Sequence, residues 1–475
     1  MPARNAPVPS GFAEARTTAE PDKHYRWRLL ALASAMLLPS LGTSIANVAL
    51  PALASEFGAS FRDVQWVVIS YLLAVTTLIV GAGRLGDMLG RRRLLLTGIA
   101  LFSLASVACA LAPSLWVLVV ARAAQGAGAA FMMALTIAAV GDSVPSERTG
   151  SAIGLLGTVS AVGTALGPSF GGILITWLGW PAVFGFMALA GLAAFLIGLR
   201  LFAPDPASDA RRSTFDLPGF VLLVMALGAY ALSTTLGGAT STIACIAVAV
   251  AALGLFVIVE LHAAAPLVNV RQLRNASLSA ELLAMGLVST IVMATLVIGP
   301  FYLSEVEGLS VVYVGLAMSV GPIVAALVGV PAGRLVDRWG SFVIQVTGLS
   351  AVVTGCVLMV ILPLLLDLGG YLGSLMLITG GYALFQAANN TSIMKVAASG
   401  QRGVISALLG LSRNLGLVTG ASAMGAIFAA GSRGLPWAGL DAGGLAGMQA
   451  TFSIAAVLAA LGLWLAFVAR HDSKM

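Results

Sequence analysis

The hydrophobic pattern along the chain consists of long apolar runs separated by short segments that hold most of the charged residues. A bilayer core about 30 Å thick requires about 20 apolar residues in each helix. Runs of that length predict fourteen membrane-spanning helices: 27–50, 64–82, 94–112, 115–140, 150–174, 181–202, 217–237, 242–262, 277–303, 311–333, 342–366, 371–395, 402–429 and 445–469. The alternating pattern of a membrane barrel does not occur in these runs, which predicts an all-α membrane protein.

Composition agrees with a lipid environment. Of the 475 residues, 59% are hydrophobic and only 9% are charged, whereas soluble domains carry about 25% charged residues. The mean hydropathy is +1.00. This composition excludes soluble enzymes, nucleic-acid-binding proteins and secreted disulfide scaffolds, and it makes the lipid bilayer the first expected partner.

The net charge of +6 is explained by membrane topology. If the N-terminus is cytoplasmic, most Lys and Arg residues fall in cytoplasmic segments, as the positive-inside rule requires. Only Arg62 and Arg433 then fall in outer loops, and Arg122 and Arg413 fall inside spans. An even number of spans places both termini in the cytoplasm, so we predict a multi-pass protein of the cytoplasmic (inner) membrane with short polar tails, 1–26 and 470–475.

The chain also repeats itself. Three pairs of landmarks recur at a nearly constant offset: Gly83–Gly90 with Gly333–Gly340 (250 residues), Gly163 with Gly416 (253) and Pro51 with Pro300 (249). The offset predicts two pseudo-symmetric six-helix bundles, 27–202 and 277–469, with two inserted helices in 203–276. Parallel repeats of this kind are a transporter architecture.

Three segments resemble signatures of the major facilitator superfamily. Gly83–Arg93 resembles its loop 2–3 signature, Val117–Ala130 resembles its helix-4 motif, and Gly163–Gly172 resembles the helix-5 motif associated with antiport. The run Ile45–Pro51 and the fourteen spans resemble the fourteen-helix drug:proton antiporter branch. The resemblance implies a secondary transporter that works by alternating access, with proton-linked efflux as the expected activity.

The loop 2–3 signature concentrates charge at the predicted cytoplasmic surface. A carboxylate there can cap a helix N-terminus or pair with an arginine of another helix, and such contacts form a latch if one transport state makes them and another breaks them. The alternative is a solvated cluster that only sets topology. The predicted latch residues are Gly83, Arg84, Asp87, Gly90, Arg91 and Arg92, with Asp337 and Arg338 in the second half.

Arg122 is the most informative single residue, because a charge inside a span costs about 2.5–3.5 kcal/mol on insertion scales and marks function by default. Gln125 lies one turn further on the same helix face. We predict that both contact substrate; the alternative is an arginine that snorkels to the outer interface. Arg413 in the thirteenth span is a second, weaker candidate.

Further polar residues within apolar spans are candidates for the substrate cavity, because their amides can hydrogen-bond an organic compound. They are Asn47, Gln386, Asn389 and Asn390. Trp66 and Tyr71 suit either aromatic stacking or anchoring at the membrane interface.

The fifth span contains Gly163, Gly167, Pro168 and Gly171. Proline removes a helix hydrogen bond, and glycines let a facing helix approach closely. We predict a kinked, tightly packed contact between the two halves, with simple helix packing as the alternative.

The first span departs from the pattern of the branch it resembles. The branch has an aspartate ahead of its Asn-Val-Ala-Leu-Pro run, whereas this chain has Gly42 there. Proton coupling requires a group that titrates and that both sides reach in turn. Glu281, about one turn into the ninth span, is the best candidate; the alternative is an interfacial glutamate that faces lipid headgroups.

The sequence therefore predicts a transporter of a small amphipathic or aromatic compound, with proton-linked export preferred and uptake of a neutral or anionic nutrient such as a flavin-like vitamin as the alternative. The three histidines, His24, His262 and His471, all fall in polar segments and offer no nucleophile–base or metal constellation. We expect no enzymatic activity, no cofactor, no metal and no nucleic-acid partner. Protons and the small-molecule substrate are the expected ligands of a monomer.

Overall fold

The structure is a computed structural model that describes residues 23–143, 149–202, 216–235, 239–263, 266–268, 270–396, 402–433 and 443–472. These ranges contain fourteen long helices and no strand. They are α1 (Lys23–Phe57), α2 (Trp66–Leu89), α3 (Arg91–Ala110), α4 (Leu115–Ser143), α5 (Thr149–Leu178), α6 (Pro181–Leu201), α7 (Leu217–Thr235), α8 (Ala239–His262), α9 (Ala276–Phe301), α10 (Val311–Trp339), α11 (Ser341–Ile361), α12 (Pro363–Val396), α13 (Arg402–Thr419) and α14 (Gly444–Asp472).

Two of these helices continue beyond a π-helical turn. α9 runs into the π-turn Tyr302–Val306, and α13 runs through the π-turn Gly420–Met424 into the short helix Gly425–Gly431. The one-turn helix Phe61–Val64 precedes α2, and the side chain of Ser60 caps it by accepting a hydrogen bond from the backbone N–H of Asp63.

Thirteen helices in the described ranges are long and apolar enough to cross a membrane. α5 contributes the shorter apolar helix Val162–Leu178, so a fourteenth span stays a prediction. The chain is thus a multi-pass helical membrane protein.

Several element ends differ from the prediction. The predicted span 342–366 is too long, because α11 ends at Ile361 and α12 begins at Pro363. Proline fits the first position of a helix, where its missing N–H costs nothing. A kink at Asp367, with φ 45°, then bends α12. At the N-terminus, α1 starts inside the predicted tail, while residues 1–22 lie outside the described ranges, as do 203–215 and 473–475.

The internal repeat is visible in how the helices pack. α1 packs against α5 as α9 packs against α13, and α2 packs against α4 as α10 packs against α12. A Cβ on Gly163 would meet the Leu37 carbonyl oxygen at 2.9 Å, and a Cβ on Gly416 would meet the Gly286 carbonyl oxygen. Leu37 and Gly286 are 249 residues apart, the same offset as Pro51 and Pro300.

The two halves meet along two seams. In the first, α5 packs on α10, and a Cβ on Gly315 would meet the Pro168 carbonyl oxygen at 2.6 Å. In the second, α2 meets α13, where the Gln65 Nε2 donates to the Ala421 carbonyl at 3.0 Å and the rings of Phe61 and Phe428 lie 4.9 Å apart.

These seam contacts lie at the end of the bundle where α1 ends, which we call the far face. The opposite end holds Gly83–Gly90 and Gly333–Gly340, and we call it the motif face. The inserted helix α7 packs against α2 and against the π-turn of α13, and α8 packs on α7. The inserted pair therefore lies beside the second seam.

Candidate functional site

Arg122 is fully buried in the first half, with 0% of its surface exposed. Its Nε donates to the Val67 carbonyl at 2.9 Å, and one terminal nitrogen donates to the Gly42 carbonyl at 3.2 Å. The other terminal nitrogen donates to Gln125 Oε1 at 2.5 Å. This burial rules out the snorkelling alternative, because all three nitrogens of the guanidinium bond to protein acceptors.

Gln125 extends the network to two more helices. Its Nε2 donates to Ser106 Oγ of α3 at 2.7 Å and lies 3.9 Å from Met187 Sδ of α6. We call Arg122, Gln125, Ser106 and the two acceptor carbonyls the arginine cluster. Together with the contact to Met187 it joins α1, α2, α3, α4 and α6, so it holds helices of one half together. The contact of Arg122 and Gln125 with substrate stays a prediction.

Tyr71 closes the arginine cluster on one side. The Arg122 Cζ lies 4.1 Å from the centroid of its ring, within the range of a cation–π contact. The Tyr71 hydroxyl donates to the Pro39 carbonyl at 2.9 Å. The ring is buried, so it neither anchors at the membrane interface nor offers a free face for stacking in this conformation.

Gly42 stands at the position where the branch that the first span resembles has an aspartate. A Cβ on Gly42 would point at the Tyr71 hydroxyl, 3.2 Å away, and at the Phe102 ring, 3.6 Å away. The Gly42 carbonyl accepts from Arg122. The main chain of Gly42 therefore contacts the arginine, whereas a side chain at this position would face Tyr71 and Phe102.

Glu281 of α9 is buried, with 6% of its surface exposed. Its Oε1 accepts from Ser392 Oγ at 2.7 Å, and its Oε2 accepts from Gln345 Nε2 at 3.4 Å. Gln345 also donates to Asn389 Oδ1 at 3.2 Å. We call Glu281, Gln345, Asn389 and Ser392 the glutamate cluster; it excludes the alternative in which Glu281 faces lipid headgroups.

The glutamate cluster is incompletely bonded. Asn389 is fully buried, and its Nδ2 has no partner among the described residues. A buried polar group without a partner costs about 1–3 kcal/mol. The cluster can therefore accept another hydrogen-bonding group or a rearrangement.

The remaining predicted substrate residues are dispersed. Asn47 is buried; its Nδ2 donates to the Thr43 carbonyl at 2.9 Å, and its Oδ1 has no partner in the described ranges. Gln386 is partly exposed and donates to the Tyr382 hydroxyl at 3.1 Å. Asn390 is partly exposed and Arg413 is exposed. Their roles as substrate contacts stay predictions.

The motif face shows how its glycines shape the loop. Gly90 ends α2 with φ 95° and Gly340 ends α10 with φ 84°, a conformation that favours glycine. Gly83 and Gly333 have open space where a Cβ would stand. The backbone at Asp87 is helical, and its side chain lies outside the described atoms.

The arginines of the predicted latch contact helix ends. Arg92 donates from Nε to the Phe202 carbonyl at 3.0 Å and from a terminal nitrogen to the Leu199 carbonyl at 2.9 Å. It therefore caps the C-terminus of α6 in its own half. Asp337 and Arg338 are exposed. The latch stays a prediction for these residues and for Arg84 and Arg91.

The helix-5 glycines differ from the expectation. Gly163, Gly167 and Gly171 face α1 of the same half, where a Cβ on Gly171 would meet Ile45 Cγ1 at 2.8 Å. The contact between halves comes instead from the Pro168 carbonyl and from Gly172, whose Cβ would meet the Val311 carbonyl oxygen at 2.9 Å. Glycines four residues apart lie on one helix face, so these three glycines pack against a single helix, α1.

Two similarly packed halves, two seams between them and buried charges within the spans are typical of a membrane transporter. The chain belongs to the Major Facilitator Superfamily, whose family model matches residues 32–421.

Relatives agree with this class. The riboflavin transporter RibZ of Clostridioides difficile (strain 630) is 28% identical over 404 residues, which are 84% of this chain and 88% of that protein. The multidrug resistance protein Stp of Mycobacterium tuberculosis (strain ATCC 25618 / H37Rv) is 31% identical over 408 residues, 85% of this chain and 75% of that protein.

A solved structure shows the same fold. It is a bacterial homologue of the human lysosomal transporter Spinster, in an inward-facing and occupied conformation. The TM-score is 0.69 at 16% sequence identity, and the match covers 96% of this chain and 98% of that chain.

Proposed function

We propose that this transporter exports a small amphipathic or aromatic compound in exchange for protons. In this proposal the chain acts as a monomer in the inner membrane, crosses it fourteen times and keeps both termini and the motif face in the cytoplasm. The two halves expose the substrate alternately to the two sides.

The observation that carries the proposal is the burial of Glu281. It lies five residues into α9 from the motif face, about 8 Å along the helix, and its carboxylate bonds only to neutral side chains in the described ranges. A carboxyl group can gain and lose a proton, which coupling to a pH gradient requires. Because Asn389 leaves a donor without a partner, a change at Glu281 can rearrange the cluster.

The names of two relatives support different substrates. The name of Stp refers to multidrug resistance and favours export, whereas the name of RibZ refers to riboflavin transport. Gly42 removes a carboxylate that the drug:proton branch carries, which favours the second candidate, uptake of riboflavin or a similar neutral or anionic nutrient without proton coupling.

Vesicles of both orientations test the proposal. Everted and right-side-out membrane vesicles containing the protein are supplied with riboflavin or tetracycline, with and without an imposed pH gradient. We expect gradient-dependent accumulation in everted vesicles. Gradient-independent entry of riboflavin into right-side-out vesicles would overturn export and establish the second candidate.

A matched pair of variants tests Glu281 itself. Glu281→Gln should abolish the response to the pH gradient and leave substrate exchange without a gradient. Glu305→Gln is the control, because Glu305 is exposed on the π-turn that continues α9. Equal responses of both variants and wild type would remove Glu281 from proton coupling.

A further inference from the structure

A large groove lies between the inserted helices and the second half. Its volume is about 1240 Å³, and α7, α8, α9 and α13 contribute most of its walls. None of the predicted substrate residues lines it. Along α8 it extends from Thr242 to Val257, about 22 Å at the rise of an α-helix, which exceeds half of a bilayer core about 30 Å thick.

The groove opens towards lipid. Large apolar side chains on its rim are exposed on the outside of the bundle, among them Ile246, Val250, Leu253 and Leu283. The walls themselves are mostly aliphatic. Such a surface fits a hydrocarbon chain that enters from the bilayer.

The hydroxyl groups in the groove do not make it polar, because four of them bond to backbone carbonyls. Ser233 donates to Tyr230 and Thr234 to Ala231. Ser279 donates to Leu273, and Ser412 donates to Leu282. These four hydroxyl groups already have acceptors within the protein, so an acyl chain can pass them without leaving a hydroxyl group unbonded.

Two arginines stand at the far-face end of this groove. Arg62 comes from the turn before α2 and Arg433 from the end of the α13 continuation, yet both line the same cavity. They are also the two basic residues that the sequence predicts in outer loops, against the positive-inside rule. The Arg62 Nε is buried and has no partner in the part of the chain that the structure describes. The neighbouring Asp63 carboxylate instead accepts from Ser60.

We propose that this groove binds a membrane phospholipid with an anionic headgroup. Its acyl chain lies between α7–α8 and the helices α9 and α13, and its phosphate is held by Arg62 and Arg433. Arginine is suited to this contact because its planar guanidinium can donate two parallel hydrogen bonds to a phosphate. The lipid would fill the space between the inserted pair and the second half, beside the second seam.

Native mass spectrometry of the full-length protein, released from nanodiscs containing equal amounts of phosphatidylglycerol and phosphatidylcholine, tests the proposal. We expect the wild type to retain phosphatidylglycerol about tenfold more often than phosphatidylcholine. The double variant Arg62→Gln/Arg433→Gln should lose this preference. Arg200→Gln, which removes one charge at an exposed position on α6, should keep it.

A second pair of variants tests the groove without touching the arginines. Ala249→Trp places a large ring in the groove and should reduce retention of both lipids about fivefold. Ala247→Trp, on an exposed position of α8 outside the groove, should not. Equal retention of both lipids by wild type, an unchanged preference in the double arginine variant, or displacement of the lipid by saturating riboflavin or tetracycline would each overturn the proposal.

Discussion

The arginine cluster and the glutamate cluster occupy different depths in two halves that otherwise pack alike. Arg122 lies seven residues into α4 from the far face, about 10 Å along the helix, whereas Glu281 lies about 8 Å from the motif face. Helices α4 and α12 align at an offset of 253, because Gly128 approaches Gly98 as Gly381 approaches Gly348.

At each depth, most counterparts in the other half are apolar; the exception is Thr136, a buried polar residue opposite Asn389. The counterparts of Arg122, Gln125 and Ser106 are Leu375, Ile378 and Cys356, all buried. Gly321 is the counterpart of Tyr71, and a Cβ on Gly321 would meet the Leu375 side chain at 3.5 Å. The counterparts of Glu281 and Gln345 are Leu32 and Leu95, also buried.

The comparison teaches that six-helix packing of this kind does not itself require either polar cluster. An arginine keeps its proton at all physiological pH values, whereas a glutamate can exchange one. The arginine cluster thus suits fastening, and the glutamate cluster suits switching. The following variants test this division.

The largest effect is expected for Arg122→Leu. It removes three hydrogen bonds of a charged donor, each worth about 1.5–3 kcal/mol, and leaves Gln125 Oε1 buried without its donor. We expect transport in proteoliposomes to fall more than tenfold and the Tm of the purified protein to drop by several degrees. An unchanged Tm with a raised KM would make Arg122 a substrate-binding residue.

A triple variant sharpens the same test. Arg122→Leu/Gln125→Ile/Ser106→Cys copies the apolar set of the second half. Replacing a whole buried polar network by apolar residues is often neutral or stabilising, whereas removing one partner is not. We expect the triple variant to recover part of the Tm that the single variant loses.

A smaller structural effect is expected for Glu281→Leu/Gln345→Leu, which copies Leu32 and Leu95 of the first half. The Tm should fall less than for Arg122→Leu, because Glu281 and Gln345 are removed together, although the buried Asn389 Oδ1 loses its donor. Transport driven by a pH gradient should fall at least tenfold. If it persists, the two clusters do not differ in the way proposed, and proton coupling lies elsewhere.

A substitution at the first seam between the halves leaves the arginine cluster and the glutamate cluster intact. Gly315→Leu would place a side chain against the Pro168 carbonyl and press the halves apart, so turnover should fall about tenfold with a smaller loss of Tm than Arg122→Leu. Gly329→Leu, on the same helix but facing open space, is the control. Equal turnover of the two variants would show that this seam does not limit transport.

The smallest effect is expected for Asp337→Asn, because Asp337 is exposed and surface charge pairs contribute about 0–1 kcal/mol. Turnover in proteoliposomes should change less than twofold. A tenfold loss would place Asp337 in a latch that forms in another transport state.

Much of this fold follows from the sequence. Span length and the repeat offset predict the helices and their equivalence, because both depend on local apolarity and on glycines whose spacing is readable. The pairing of Arg122 with Gln125 also follows, since residues three apart on a helix are neighbours.

The partners from other helices were missed for a physical reason. Ser106, Gln345 and Ser392 were visible as polar residues in apolar spans, but which acceptor each one meets depends on how helices distant in sequence pack. The repeat offset of 250 residues does indicate one of these partners. Gln345 is the counterpart of Leu95, so a polar residue stands in one half where the other half has an apolar residue.

Two of the three acceptors around Arg122 are main-chain carbonyls, those of Gly42 and Val67. Every amino acid has a main-chain carbonyl, so the residues at these two positions can be substituted without loss of the acceptor. A carboxylate acceptor would instead require Asp or Glu at its position. In a saturation mutagenesis screen, position 122 should accept almost no replacement, while position 67 should accept other apolar residues. Evolution can therefore vary the side chains at positions 42 and 67 of α1 and α2 without losing the acceptors that hold Arg122 in this half.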